Sequence, residues 1–210
     1  MEIYEAIFKR RDIRQFKPDA IPQEVIRNIL KAAHHAGSVG FMQPWNFILV
    51  QDISVRKKIK EIFDDQNRLA ADRYEGERKN LYQSLKFEGI LESPLNLCVT
   101  CDRTRKGPHV LGRNSIVDTD IYSTCCAIQN LWLAARAEGV GVGWVSILDH
   151  GALRKILAIP ESVLPIAYLC VGYPVEFKDQ PLLEEVGWET RMSLPDLVYM
   201  DQWDRPWNGK

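Results

Sequence analysis

Apolar positions recur along this chain with two different periods, and each period predicts a different element. Ile3, Ala6, Ile7 and Phe8 make one face of a short N-terminal helix. After Pro22, residues Val25, Ile26, Ile29, Leu30 and Ala33 recur at helical spacing, which predicts a helix from Pro22 to about Ala36. Residues 47–50, 94–101 and 165–172 are short apolar runs bounded by turn signals and read as strands. Ser54 is placed to cap a further helix carrying Val55, Ile59, Ile62 and Phe63. The strongest periodic segment covers residues 118–138, with Ile121, Cys125, Ile128, Trp132 and Ala135 on one face. Gly139, Gly141 and Gly143 end it in the order helix, glycines, strand, the reverse of a dinucleotide-binding turn. They suit tight turns and the close approach of a flat ligand. Asp149 caps a short helix to Ala158.

Two stretches break this regularity. Residues 64–92 are highly charged, with sparse aromatics at Tyr74, Tyr82 and Phe87. They read as one or two surface helices, either a solvated hairpin or a lid with Leu81, Leu85 and Phe87 facing inward. From Tyr173 onward the chain keeps Leu182, Leu183, Trp188, Met192, Leu197, Trp203 and Trp207 but loses its period. So many hydrophobes on an arm predict packing on a neighbour, as in an intertwined homodimer.

Composition narrows the class. With 46% hydrophobic residues the 210-residue chain can bury one substantial core, and residues 1–210 read as a single domain. A formal net charge of −1 gives no field for nucleic acid or anionic lipid, so an anion site must come from a local cluster. No apolar run approaches the roughly 20 residues needed to span a bilayer, and the N-terminus lacks a signal-peptide core. The five cysteines all lie in apolar stretches, and the Cys98–Cys101 CxxC has no second pair. That argues against a metal site and fits a cytoplasmic protein.

The local cluster is Lys9-Arg10-Arg11-Asp12-Ile13-Arg14, four cations in six residues. One reading is a solvated helix end; the other is a phosphate clamp, because arginine's planar fork suits phosphate oxygens. Asp12 would weaken a pure anion site, and is either a salt-bridge partner or a catalytic carboxylate. The second candidate stretch, AAHHAGSVGFMQPWNFILV at residues 32–50, is a helix–loop–strand connection carrying His, Ser, Met, Gln, Trp and Asn.

RRDIR at 10–14, SVGFMQPWNF at 38–47, and the block from Asp120 through Asn130-Leu131 to Gly139-Val140-Gly141 resemble the FMN-binding nitroreductase-like family. Asp12, GPHVLGR at 107–113, residues 122–147 and GWETRMSL at 187–194 resemble the flavin-destructase branch of that family. The resemblance implies an α+β fold, a three-layer α/β/α sandwich around a mixed, mostly antiparallel sheet, in a homodimer with FMN at the interface. It implies that Arg10, Arg11, Arg14 and Arg191 reach the FMN phosphate and ribityl chain, with Asp12 and Ile13 between them. It places Ser38, Met42, Gln43 and Pro44 along the flavin, and Ser146 near the reactive edge of the ring. In that branch reduced FMN is the substrate and dioxygen the co-substrate, a separate reductase supplies the flavin, and no metal takes part. Asp12 is then the candidate proton acceptor, ionised because arginines depress its pKa, and Ser146 the orienting hydroxyl. The alternatives are an NAD(P)H-dependent nitroreductase or flavin reductase, and a flavin carrier without chemistry.

Overall fold

Three of the predicted runs become strands of one sheet, and a fourth strand follows the glycines. The strands are β1 (Trp45–Val50), β2 (Leu95–Asp102), β3 (Gly141–Val145) and β4 (Val163–Gly172). In this computed structural model, which describes residues 1–207, they lie in the order β1-β2-β4-β3, each neighbour antiparallel. Asp12 adds a parallel bridge to Val142 outside β3, so the sheet is mixed at that edge. The chain divides into two compact units, Met1–Phe177 and the stretch from Lys178 onward.

Strand residues alternate between two cores, as a period of two requires. Leu97 and Val99 face α2 (Gln23–His34) and α5 (Thr119–Ala137), packing with Ile26, Ile29, Ala33, Ile128 and Leu131. Cys98 faces the opposite layer, α3 (Ile53–Ala71) and α6 (His150–Ile156), with Ile59, Phe63, Leu153 and Tyr168. Each such aliphatic side chain contributes about 1.5–3 kcal/mol when fully buried. The result is an α+β three-layer arrangement.

Several expectations need correction. Helix α3 is capped by Asp52, whose carboxylate accepts the Ser54 N–H at 2.7 Å, rather than by Ser54. It continues to Ala71, so the charged excursion proper holds only α4 (Gly76–Ser84) and its flanks. There Tyr82 is the buried residue, stacked on Tyr74 and packed on Phe87 at 4.6 Å, with its hydroxyl donating to Asn67. Leu81, Leu85 and Phe87 are half-buried. On α5 the inward stripe is Thr124, Ala127, Ile128, Leu131 and Ala135. That rotation leaves Cys125 and Cys126 exposed, while Cys98, Cys101 and Cys170 are buried. Burial pushes the Cys98 thiol up to about 12, which keeps it inert. The N-terminal helix α1 (Ile3–Lys9) buries only Ala6 within this chain and exposes Ile3, Tyr4, Ile7 and Phe8.

The second unit holds α7 (Leu182–Glu185), a 3-10 turn (Leu194–Leu197) and a Tyr199–Pro206 bridge. It exposes Met192, Leu194, Leu197, Trp203 and Trp207.

Candidate functional site

Residues 10–14 run extended along the outer edge of β3. The Ile13 N–H donates to Val142 O at 3.0 Å, and the Ile13 side chain enters the core. The Ile13 side chain and N–H are therefore not available to a ligand. Glycine makes this approach possible. A Cβ at Gly143 would stand 2.0 Å from Ile13 O, and one at Gly141 would stand 2.8 Å from Ile13 Cγ1. These glycines thus admit residue 13 itself, Gly141 its side chain and Gly143 its carbonyl.

The period of two then puts Arg10, Asp12 and Arg14 on the side opposite the buried Ile13. Arg14 Nη2 donates to Trp144 O at 2.7 Å and pairs with Asp12 Oδ2. Asp12 Oδ1 accepts the Trp144 N–H at 2.8 Å. The Arg10 guanidinium lies over the Trp132 ring, 4.5 Å from its centroid, and Trp132 Nε1 donates to Arg11 O. Arg11 Nη1 donates to Phe8 O and Arg10 O. Among the described residues Arg14 Nη1 is a buried donor without an acceptor. A phosphate or ribityl oxygen would satisfy it, so the residues present fit an FMN phosphate.

Asp12 departs from expectation in its proton affinity. Lost hydration raises its pKa above 3.8, and this outweighs Arg14, the Trp144 N–H and Arg10, which lower it. The carboxylate is nevertheless open on one side. Ser146 is exposed two residues beyond Trp144, about 7 Å further along the strand. It borders a cavity of about 300 Å³ with Trp144, Leu148, His150 and Tyr168.

The loop of residues 38–44 is built on left-handed backbone, with φ of +57° at Gly40, +50° at Phe41 and +49° at Gln43. Met42 and Pro44 are buried. The Gln43 N–H donates to Ser38 Oγ at 3.1 Å. Trp45 Nε1 donates to His34 Nδ1, and the Val39 N–H to Ser123 Oγ.

The structure does not bring this loop to the arginines within one chain. Asp12 lies outside β3 and the loop enters β1, four strand spacings or about 19 Å across the sheet. Val142 is level with Leu95 through Val171, and Trp45 with Cys101, so the two are also six residues or about 20 Å apart lengthwise. Arg191 is exposed in the second unit. The helix α5 N-terminus carries a further charged knot. Asp120, fully buried, accepts from Arg113 Nη2 at 2.7 Å, Arg103 Nε at 3.1 Å and the Ile121 N–H. No cluster of three or more His, Cys, Asp or Glu side chains suited to a metal occurs among the described residues. No helix there is long and apolar enough to cross a membrane.

Sequence reasoning missed Trp144, whose backbone groups hold both Asp12 and Arg14, because main-chain hydrogen bonding leaves no trace in residue type. It also missed Arg105. Its place in DRTRKG, a cation-rich loop, concealed an inward role.

The model of the Nitroreductase family matches residues 7–173, and the chain belongs to that family. A relative from Rhodospirillum rubrum, named 5,6-dimethylbenzimidazole synthase, is 42% identical over 91% of both chains. The BluB-like flavoprotein of Clostridium difficile has the same fold, with a TM-score of 0.71 at 19% identity, covering 96% of this chain and all of the other. Oxidized iodotyrosine deiodinase bound to FMN and 3-iodo-L-tyrosine also shares it, with a TM-score of 0.71 at 24% identity over 84% and 92% of the two chains.

Proposed function

We propose that this chain fragments reduced FMN with dioxygen to give 5,6-dimethylbenzimidazole and erythrose 4-phosphate, supplying the lower ligand of cobalamin. The name and extent of the Rhodospirillum rubrum relative favour this over a nitroreductase that keeps its flavin. Within the chain the reading rests on Asp12, a carboxylate with raised proton affinity set among phosphate-binding arginines. Its bonds to Arg14 and the Trp144 N–H leave the carboxylate open on one side, where a substrate can meet it.

Reduced FMN supplies both the carbon skeleton and the electrons. Arg10, Arg11 and Arg14 hold its phosphate and ribityl chain. Asp12, fixed by the Trp144 N–H, accepts the proton from ribityl C1′, the carbon that becomes C2 of the benzimidazole. Ser146 orients the reacting ring by hydrogen bond. Residues 64–92 close over the site and exclude water and nicotinamide, so a separate flavin reductase delivers the reduced flavin. Two copies share each site. The 38–44 loop of one copy lies along the flavin held by the 10–14 clamp of the other, which accounts for their diagonal separation in one chain. The apolar face of α1 and the apolar tail supply surface for that pairing. The protein works in the cytoplasm, where its free cysteines stay reduced.

The test is aerobic incubation with chemically reduced FMN and no nicotinamide, followed by chromatography. 5,6-Dimethylbenzimidazole should appear in proportion to protein. Recovery of all the FMN intact refutes the reading, and reduction of bound flavin by NADH or NADPH would then favour a reductase.

A further inference from the structure

Gln43 holds a left-handed backbone that costs a non-glycine residue about 1–2 kcal/mol, so something must keep it there. Both of its peptide groups are occupied. Its N–H meets Ser38 Oγ, and its carbonyl accepts from Arg105 Nη1 at 3.0 Å. The same nitrogen reaches Trp45 O at 3.2 Å, while Arg105 Nη2 donates to Asn46 Oδ1 at 2.5 Å. One guanidinium thus spans three acceptors across residues 43–46, from a loop about 60 residues further along the chain. Arg105 is itself aimed by a local turn. Asp102 Oδ1 accepts from the Thr104 N–H at 2.9 Å and its hydroxyl at 2.7 Å, and Asp102 Oδ2 lies 3.5 Å from Arg105 Nη2. The Asp102 N–H also donates to Pro44 O at 2.7 Å.

We infer that Arg105 is a positioning residue for flavin binding: it clamps residues 43–46 from behind and so fixes the Ser38–Gln43 turn that faces the ligand. This rests on the flavin reading above. The route to the ligand is Ser38. Its hydroxyl accepts from Gln43 and keeps its own proton for a flavin acceptor, but only while Gln43 stays in place. Lysine at 105 presents a point charge and cannot span the three acceptors with one rigid fork.

The experiment compares wild type, Arg105→Ala and Arg105→Lys, each as the full chain. Backbone hydrogen exchange over residues 42–46 is measured without flavin, and FMN affinity is then titrated with and without added guanidinium chloride at tens of millimolar. Arg105→Ala should speed exchange over 42–46 at least about tenfold while β4 exchange stays unchanged, and weaken FMN at least about tenfold. Arg105→Lys should fall between. Guanidinium should restore much of the FMN affinity of Arg105→Ala and leave wild type unaffected, a response that general destabilisation would not give. Unchanged exchange over 42–46 overturns the inference. So does faster exchange with FMN affinity unmoved. Wild-type protein that binds neither oxidised nor reduced FMN refutes the flavin reading instead, and the exchange comparison alone then decides the clamp.

Discussion

Gly143 offers the sharpest test of how the arginine segment is held. Alanine there puts a methyl group 2.0 Å from Ile13 O, where ordinary contact begins at 3.4 Å, so the strands must part by about 1.4 Å. Neither side can yield locally. β4 pins β3 from within, and the Trp132 indole Nε1–H pins the 10–14 segment through Arg11 O. The separation threatens two hydrogen bonds, Ile13 N–H to Val142 O and Trp144 N–H to Asp12 Oδ1. A neutral bond contributes about 1 kcal/mol and one to a charged group about 1.5–3, so the loss is about 2.5–4 kcal/mol. For a chain of this length that corresponds to a melting temperature lower by about 5–16 °C. The assay is a thermal melt beside an FMN titration, in which affinity should fall at least about tenfold as the clamp retreats. Gly37→Ala is the control, since its added Cβ meets nothing within 4 Å. If Gly143→Ala melts with Gly37→Ala and binds FMN as wild type does, the proposed packing of residues 10–14 on β3 is wrong.

Asp12→Asn should keep FMN affinity within a few-fold, yet lose 5,6-dimethylbenzimidazole formation in a chromatographic assay. The wild-type rate should rise with pH through an apparent pKa above 3.8, because the ionised carboxylate is the acceptor, and asparagine should remove that limb. The same shift links to stability. A carboxyl whose folded pKa is raised binds its proton more tightly when folded, so that contribution is lost as pH rises through the folded value. Asp12→Asn should abolish that slope in denaturant titrations. Asp120→Ala leaves Arg103 and Arg113 facing a buried void, and should cost about 3–5 kcal/mol by urea unfolding. Equal stability of Asp120→Ala and wild type would show that the knot is not holding the loop before α5.

The layers of this fold were legible because burial imposes a period. Ile26, Ile29 and Ala33 on α2 and the continuous run of β2 were readable as core from spacing alone. On α5 the spacing marks Ile128, Trp132 and Ala135, which are buried, but not Thr124 and Ala127, which pack inward while Cys125 faces out. Small polar residues conceal burial where a helix sits close to a sheet. The candidate site, Arg10 to Arg14 and Ser38 to Pro44, rests on residue types in a familiar order. What could not be read was main-chain work: the Trp144 N–H and carbonyl that hold Asp12 and Arg14, and the carbonyls that Arg105 gathers. Nor could the rise in the Asp12 pKa be read, since neighbouring charges are visible in a sequence and lost hydration is not.

The diagonal placement of the two candidate half-sites has a consequence for genetics. In the pair proposed above each centre would draw its clamp from one chain and its loop from the other. A chain disabled at Asp12 and a chain disabled in the 38–44 loop would each be inactive alone. In a mixed pair both lesions fall on one centre and spare the second. Random association would leave about a quarter of the centres whole, so the two inactive chains made together would restore 5,6-dimethylbenzimidazole formation that neither supports.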